Sequence, residues 1–324
     1  GMSQADVAEA LGSPNIVTRD KAGNETWIYD KIATEASYSR SSGSVGAGGG
    51  AGGVSGTTLL LGLITGAWCQ AATPVPKAPA VGAKSYLLQD FHSGQSIAAK
   101  DADQPMEPAS ITKLMTAYVV FTEIRNGSLA LSDKVRISEK AWRTQGSRMF
   151  VEVNTLVNVA DLLKGVIIQS GNDATVALAE HIAGTEASFA ALMNHHAKEL
   201  GLTNSNFTNS TGLPDKEHYT TAHDIAIIAH ALIDEFPEYY QWYSEREFTY
   251  NDISQRNRNL LLRRDDSVDG LKTGHTEAAG YCLATSAVRE GMRLISVVMG
   301  TSSENARAEA SQSLLNYGFR FFET

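Results

Sequence analysis

Between residue 85 and the end of the chain, hydrophobic positions follow two periods. Residues 85–90 and 96–99 read as strands around the turn His92-Ser93-Gly94-Gln95. Residues 281–288 and 293–299 alternate as strands around Glu290-Gly291. Between these strand regions, 159–168, 174–182, 189–200 and 221–233 carry the helical period. A run of helix formers, 111–124, follows Pro108 and predicts a helix that begins close to Ser110. Residues 306–317 close the chain as a helix. Strands at both ends of a helical block predict an α+β domain, a sheet with helices on its faces.

The front of the chain follows a different pattern. Residues 2–12 read as a short helix capped by Ser3 and stopped by Gly12, and 15–18 and 25–29 as two strands around Lys21-Ala22-Gly23-Asn24. This small α+β fragment, 1–35, resembles part of the outer-membrane assembly lipoproteins of the small-protein-A type and carries no candidate chemistry. Residues 36–58 are rich in Ser and Gly and predict a flexible linker. Residues 59–68 are apolar but too short for a bilayer span, and with Cys69-Gln70-Ala71-Ala72 behind them they look like the core and cleavage site of a secretory signal. The position is wrong for a signal, because the nearest upstream basic residue is Arg40, and Trp68 spoils a lipoprotein cleavage site. A proline-rich spacer completes the segment 59–82, and the main domain is expected over 83–324. The whole reads as a lipoprotein-like fragment fused to an unprocessed exported domain.

Composition narrows the choices. The 324 residues carry a net charge of −9, which argues against nucleic acid as a partner. The two cysteines, Cys69 and Cys282, predict no structural disulfide, and Cys282 reads as a buried small hydrophobe. No Cys/His cluster has zinc spacing, and His195-His196 reads as a solvated helix face. No metal or other cofactor is implied.

Candidate chemistry starts at Ser110-Ile111-Thr112-Lys113. Residues three apart share a helix face, so Ser110 can serve as nucleophile and Lys113 as its base if the lysine is neutral. A free lysine titrates near ~10.4, so the side chain must be pushed down by about three pH units, through burial and a second cation. Lys272 is the expected second cation. A lone Ser-x-x-Lys arises by chance. Here Ser170-Gly171-Asn172 follows in a break between helical segments, and Lys272-Thr273-Gly274 opens a strand-like run.

Those three motifs in that order form the signature of the penicillin-recognising serine enzymes. The likeness extends to Asn209-Ser210-Thr211-Gly212-Leu213, to Val268-Asp269-Gly270-Leu271-Lys272-Thr273-Gly274-His275-Thr276 and to Tyr317-Gly318-Phe319-Arg320-Phe321-Phe322-Glu323. From about Ala83 onward the chain resembles the low-molecular-mass D-alanyl-D-alanine carboxypeptidases. The resemblance implies a β-lactamase/transpeptidase-like domain, an antiparallel sheet with a helical subdomain. It implies removal of the terminal D-alanine from peptidoglycan stem peptides through an acyl-enzyme on Ser110, with Ser170 relaying the proton and Asn172 bonding a substrate amide. Gly274 would admit the substrate, the N–H groups of Ser110 and His275 would form the oxyanion hole, and Thr273 and Arg307 would take the terminal carboxylate. It also implies acylation by β-lactam antibiotics, a periplasmic location at the inner-membrane face of a Gram-negative bacterium, and further chain leading to a membrane anchor. Two alternatives stay open, a β-lactamase-type hydrolase and a non-catalytic wall-binding or assembly protein. Gly171 between Ser170 and Asn172, and the lack of a Glu-x-x-x-Asn near 209–214, favour the carboxypeptidase.

Overall fold

The computed structural model describes residues 75–323, together with the backbone of three short strands: β1 (Ile16–Arg19), β2 (Glu25–Ile28) and β3 (Ala36–Tyr38). Two compact units divide the chain, Gly1–Ala71 and Ala72–Thr324. In the first, β2 pairs antiparallel with both β1 and β3. The two strands expected there are present. β3 corrects the expected linker, because its first residues have backbone partners in a sheet rather than none. The helix expected over 2–12, the rest of the linker and the apolar run 59–68 lie outside the described residues.

The second unit opens with the hairpin β4 (Ser85–Asp90) and β5 (Ser96–Lys100). A 3-10 turn, Ala109–Thr112, runs into α1 (Lys113–Arg125). β6 (Lys134–Arg136), α2 (Glu139–Arg143) and β7 (Leu156–Asn158) come next. α3 (Val159–Lys164) then passes into one π-helical turn, Gly165–Gln169, ahead of α4 (Asn172–Ala183) and α5 (Glu186–Glu199). Two helices, α6 (Ala222–Glu235) and α7 (Pro237–Tyr240), lead to the hairpin β8 (Glu247–Tyr250) and β9 (Ile253–Arg256). Then α8 (Leu261–Arg264) precedes β10 (Val268–Thr276), β11 (Gly280–Arg289), β12 (Met292–Thr301) and α9 (Glu304–Phe321).

Five of these strands form one antiparallel sheet in the order β10-β11-β12-β4-β5. Alternate residues of a strand point to opposite faces. Tyr86, Leu88, Leu294 and Val298 accordingly pack with Leu314 and Leu315 of α9 in one cluster. Leu87, Ile295, Val297 and Met299 pack with the helical block in the other. Both faces are covered, so the alternation expected over 281–288 and 293–299 gives way to strands buried at successive residues. At the centre of the block, Lys113 to Thr122 on α1 are all buried. Burial of each large apolar side chain there contributes roughly 2 kcal/mol.

The fold class matches the expectation, and several boundaries differ. The α-helix begins at Lys113, not Ser110, because Ala109 has φ +48° and the chain needs a tighter turn after Pro108. Lys272-Thr273-Gly274 lies in the second half of β10 and does not open the strand. α9 runs to Phe321, with the Ser303 hydroxyl accepting from Ala306 N–H at its start. The expected solvated pair splits: His195 is exposed, whereas His196 is buried edge-on against Tyr118. Cys282 is a buried free thiol.

Candidate active site

The sheet edge and the helical block meet at the 3-10 turn. Gly274 on β10 packs so closely there that a β-carbon would fall 2.8 Å from Pro108 O and 3.2 Å from Ala109 Cβ. Only glycine lets the strand approach the turn this tightly, which corrects the expectation that Gly274 admits the substrate: its open side faces the turn that carries Ser110. On the far side Gly212 has φ +82°, and a β-carbon there would sit 1.8 Å from Ala109 O. The turn that carries Ser110 is clamped between these two glycines.

Lys113 Nζ lies 3.0 Å from Ser110 Oγ, 2.7 Å from Asn172 Oδ1 and 2.7 Å from the Thr211 carbonyl. The side chain is 1% exposed. Burial, helped by the Arg258 charge and opposed by Asp173, brings its pKa down to about 7. Two of its three neighbours, Asn172 Oδ1 and the Thr211 carbonyl, can only accept. In a neutral amine they take both N–H groups. The remaining lone pair then faces Ser110, whose O–H donates to it.

Ser170 stands in the left-handed region, φ 60° and ψ 31°, between the π-helical turn and α4. A non-glycine residue held there marks stored backbone strain. The conformation delivers its Oγ to Lys272 Nζ at 2.8 Å. Lys272 also donates to the Thr273 carbonyl at 3.1 Å. Burial, with the charges of Lys113, Arg258 and Arg307, holds Lys272 well below the ordinary lysine range. Lys272 was expected to depress Lys113. The repulsion between the two buried lysines is mutual, and Arg258 adds its charge to both. Two buried ammonium groups within Coulombic reach do not both keep their protons at neutral pH.

Asn172 begins α4, and both ends of its amide are engaged: Oδ1 with Lys113, Nδ2 donating to Gln145 O at 2.6 Å. One Nδ2–H stays free for a ligand. Arg307 is 3% exposed and donates to the Gly274 carbonyl at 3.1 Å, with its guanidinium over the Tyr281 ring. Tyr281 also stacks on His275, ring centroids 3.9 Å apart. Every site residue expected from sequence therefore converges here: Ser110, Lys113, Ser170, Asn172, Lys272, Thr273, Gly274, His275 and Arg307.

Sequence reasoning missed three contributors. Asp173 is fully buried, and its carboxylate accepts from the N–H groups of Met149 and Phe150 at 2.8 Å and of Ala174 at 2.9 Å. It ties the 145–151 loop to Asn172. Its place beside Asn172 at a helix start was the available signal. The Thr211 carbonyl, as backbone, left no signal. Arg258 is exposed and distant in sequence, and only its charge reaches the lysines.

Comparison with known proteins adds to this geometry. The family model described as D-alanyl-D-alanine carboxypeptidase matches residues 72–303. The D-alanyl-D-alanine carboxypeptidase DacC of Escherichia coli is 47% identical over 78% of this chain and 65% of its own length. DacA of Haemophilus influenzae is 48% identical over 76% of this chain and 64% of its own length. The chain thus spans less than two thirds of the length of these relatives. Among solved structures, penicillin binding protein 5 from Haemophilus influenzae superposes with a TM-score of 0.74 at 47% identity, over 76% of this chain and 73% of that one. Penicillin-Binding Protein D2 from Listeria monocytogenes, in its ampicillin-bound form, superposes at 0.70 with 28% identity, over 75% of this chain and all of that one.

Proposed function

The chain belongs to the D-alanyl-D-alanine carboxypeptidase family, and from that premise we propose that it is a serine D,D-carboxypeptidase acting on peptidoglycan stem peptides and acylated by β-lactams. The observation that carries the reading is the buried Lys113 Nζ, held by Asn172 Oδ1 and the Thr211 carbonyl within 3.0 Å of Ser110 Oγ, where a neutral amine would turn its lone pair to the hydroxyl. Lys113 takes the Ser110 proton as Oγ attacks the carbonyl between the two D-alanines. The C–N bond breaks, the proton that Lys113 took from Ser110 is handed on through the Ser170 hydroxyl to the leaving amine, and D-alanine departs, leaving Lys113 neutral again. Water then hydrolyses the Ser110 ester. The N–H groups of Ser110 and His275 stabilise the oxyanion. Arg307 and Thr273 take the terminal carboxylate, and an anion seated there favours the protonated form of Lys272.

For a substrate in the wall we infer a periplasmic location at the inner-membrane face. The 1–35 segment, similar to assembly lipoproteins, is read as an accessory without chemistry. The test is mass spectrometry during incubation with benzylpenicillin. A penicilloyl adduct on Ser110 that lasts minutes supports the carboxypeptidase. Turnover in seconds favours the β-lactamase-type alternative, and an adduct on another residue overturns the site.

A further inference from the structure

Residues 206–220 form a strap across the nucleophile turn. Asn206 pairs with Tyr219, and Thr220 with Met106, which precedes Pro108 by two residues. The tip of the strap meets α1: Ser210 O accepts from Thr116 Oγ1 at 2.6 Å and Thr211 O from Lys113 Nζ at 2.7 Å. Asn209 Oδ1 shapes that tip by accepting from Gly212 N–H at 2.8 Å.

One side chain joins the two arms of the strap to each other and to the turn. His218 is 2% exposed. Its Nδ1 lies 3.0 Å from the backbone nitrogen of Thr208, which can only donate. The imidazole is therefore neutral, with its proton on Nε2. Nε2–H donates to Thr112 Oγ1 at 2.8 Å, and Thr112 is a fully buried residue between Ser110 and Lys113. The charged groups acting on the ring are Asp215 in the strap and Lys113 on α1. Burial and Lys113 outweigh Asp215 and hold the imidazole at about 4, so it stays neutral through the working range.

We propose that His218 is a positioning residue of the Ser110–Lys113 centre: bridging Thr208 to Thr112, it fixes the strap against the nucleophile turn and keeps the Thr211 carbonyl on Lys113. This rests on the acyl-enzyme reading above. Without that carbonyl the neutral amine is free to turn an N–H, not its lone pair, toward Ser110, and water gains access to it. Glutamine at 218 can reproduce both bonds, accepting from Thr208 and donating to Thr112.

The experiment measures benzylpenicillin acylation against pH, per mole of folded protein, for the full chain and for His218→Leu, His218→Gln and Thr112→Val. His218→Leu should slow acylation about 10- to 100-fold, the scale of a small misplacement, and move the pH midpoint upward as Lys113 is resolvated. Thr112→Val should do the same from the other end of the bond, and it remains informative if the leucine variant does not fold. His218→Gln should recover most of the rate and the original midpoint. Variants that only lower the melting temperature, with unchanged rate and midpoint, overturn the inference. Failure of the unmodified protein to acylate at Ser110 would instead overturn the carboxypeptidase reading.

Discussion

In the proposed reaction Lys113 does two jobs that pull against each other. It must be buried to lose its proton, and it must still satisfy its amine inside the protein. The Thr211 and Asn172 oxygens provide that satisfaction and aim the lone pair as well. Because the folded pKa is about 7 and the neutral form is reactive, acylation by benzylpenicillin should rise with pH through a midpoint near 7. Lys113→Ala should remove the rise and cost on the order of 10²- to 10⁴-fold in rate. Arg258→Gln should shift the midpoint upward, since the positive charge it removes opposes protonation of Lys113. A stopped-flow rate profile across pH reads all three. An unchanged midpoint in the Arg258 variant would mean burial alone sets the lysine.

At the level of elements, the site is a junction where loops are held by single buried groups. Asp173 gathers the N–H groups of Met149, Phe150 and Ala174 at a fully buried carboxylate. Asp173→Ala leaves those donors unpaired, and a loss of about 3–5 kcal/mol is expected from charge-assisted bonds that are broken on one side only. Urea unfolding measures the loss. Acylation should fall further than stability explains, because the same loop carries the Gln145 carbonyl that holds Asn172. Gly212→Ala tests the opposite side of the clamp. Its β-carbon cannot coexist with Ala109 O, so the strap or the nucleophile turn has to move. A variant with wild-type acylation would show that the clamp is not needed.

For the whole molecule, the catalytic unit should stand without the front of the chain, but the boundary matters. Ala78 and Val81 pack on the cluster under α9, and Tyr317 Oη donates to Pro76 O. A chain starting at Ala72 should keep its rate on a peptide ending in D-Ala-D-Ala. One starting at Lys84 should lose roughly 1–3 kcal/mol, the apolar contribution of those two side chains. Acid should weaken the fold at a defined place. His218 titrates at 6.5 when free and at about 4 when folded, so the unfolded chain takes up the proton first as pH falls. Its contribution is present above 6.5 and is lost progressively down to about 4, to a total of ~3 kcal/mol. Comparing urea midpoints at pH 7 and pH 4.5, with His218→Gln as the variant lacking this titration, checks the window.

The longer elements and the reactive groups were legible along the chain. Periodicity marked the strands at 85–90 and 281–299 and most of the helices, because one residue's burial repeats along a regular element. It missed β6, β7, β8 and β9, which are only three or four residues long and half exposed, too short for a period to show. The motifs supplied Ser110, Lys113, Ser170, Asn172 and Lys272, since the proposed nucleophile, base and relay require particular side chains. Tertiary structure decided what those motifs face. The partner of Ser170 is Lys272, Lys113 is held by a backbone carbonyl, and its pKa is lowered by burial first and then by an arginine 145 residues away in sequence. A backbone oxygen has no letter in the sequence. A Coulombic neighbour is defined by distance in space, which exists only once the sheet edge, the strap and the helical block have closed around the turn.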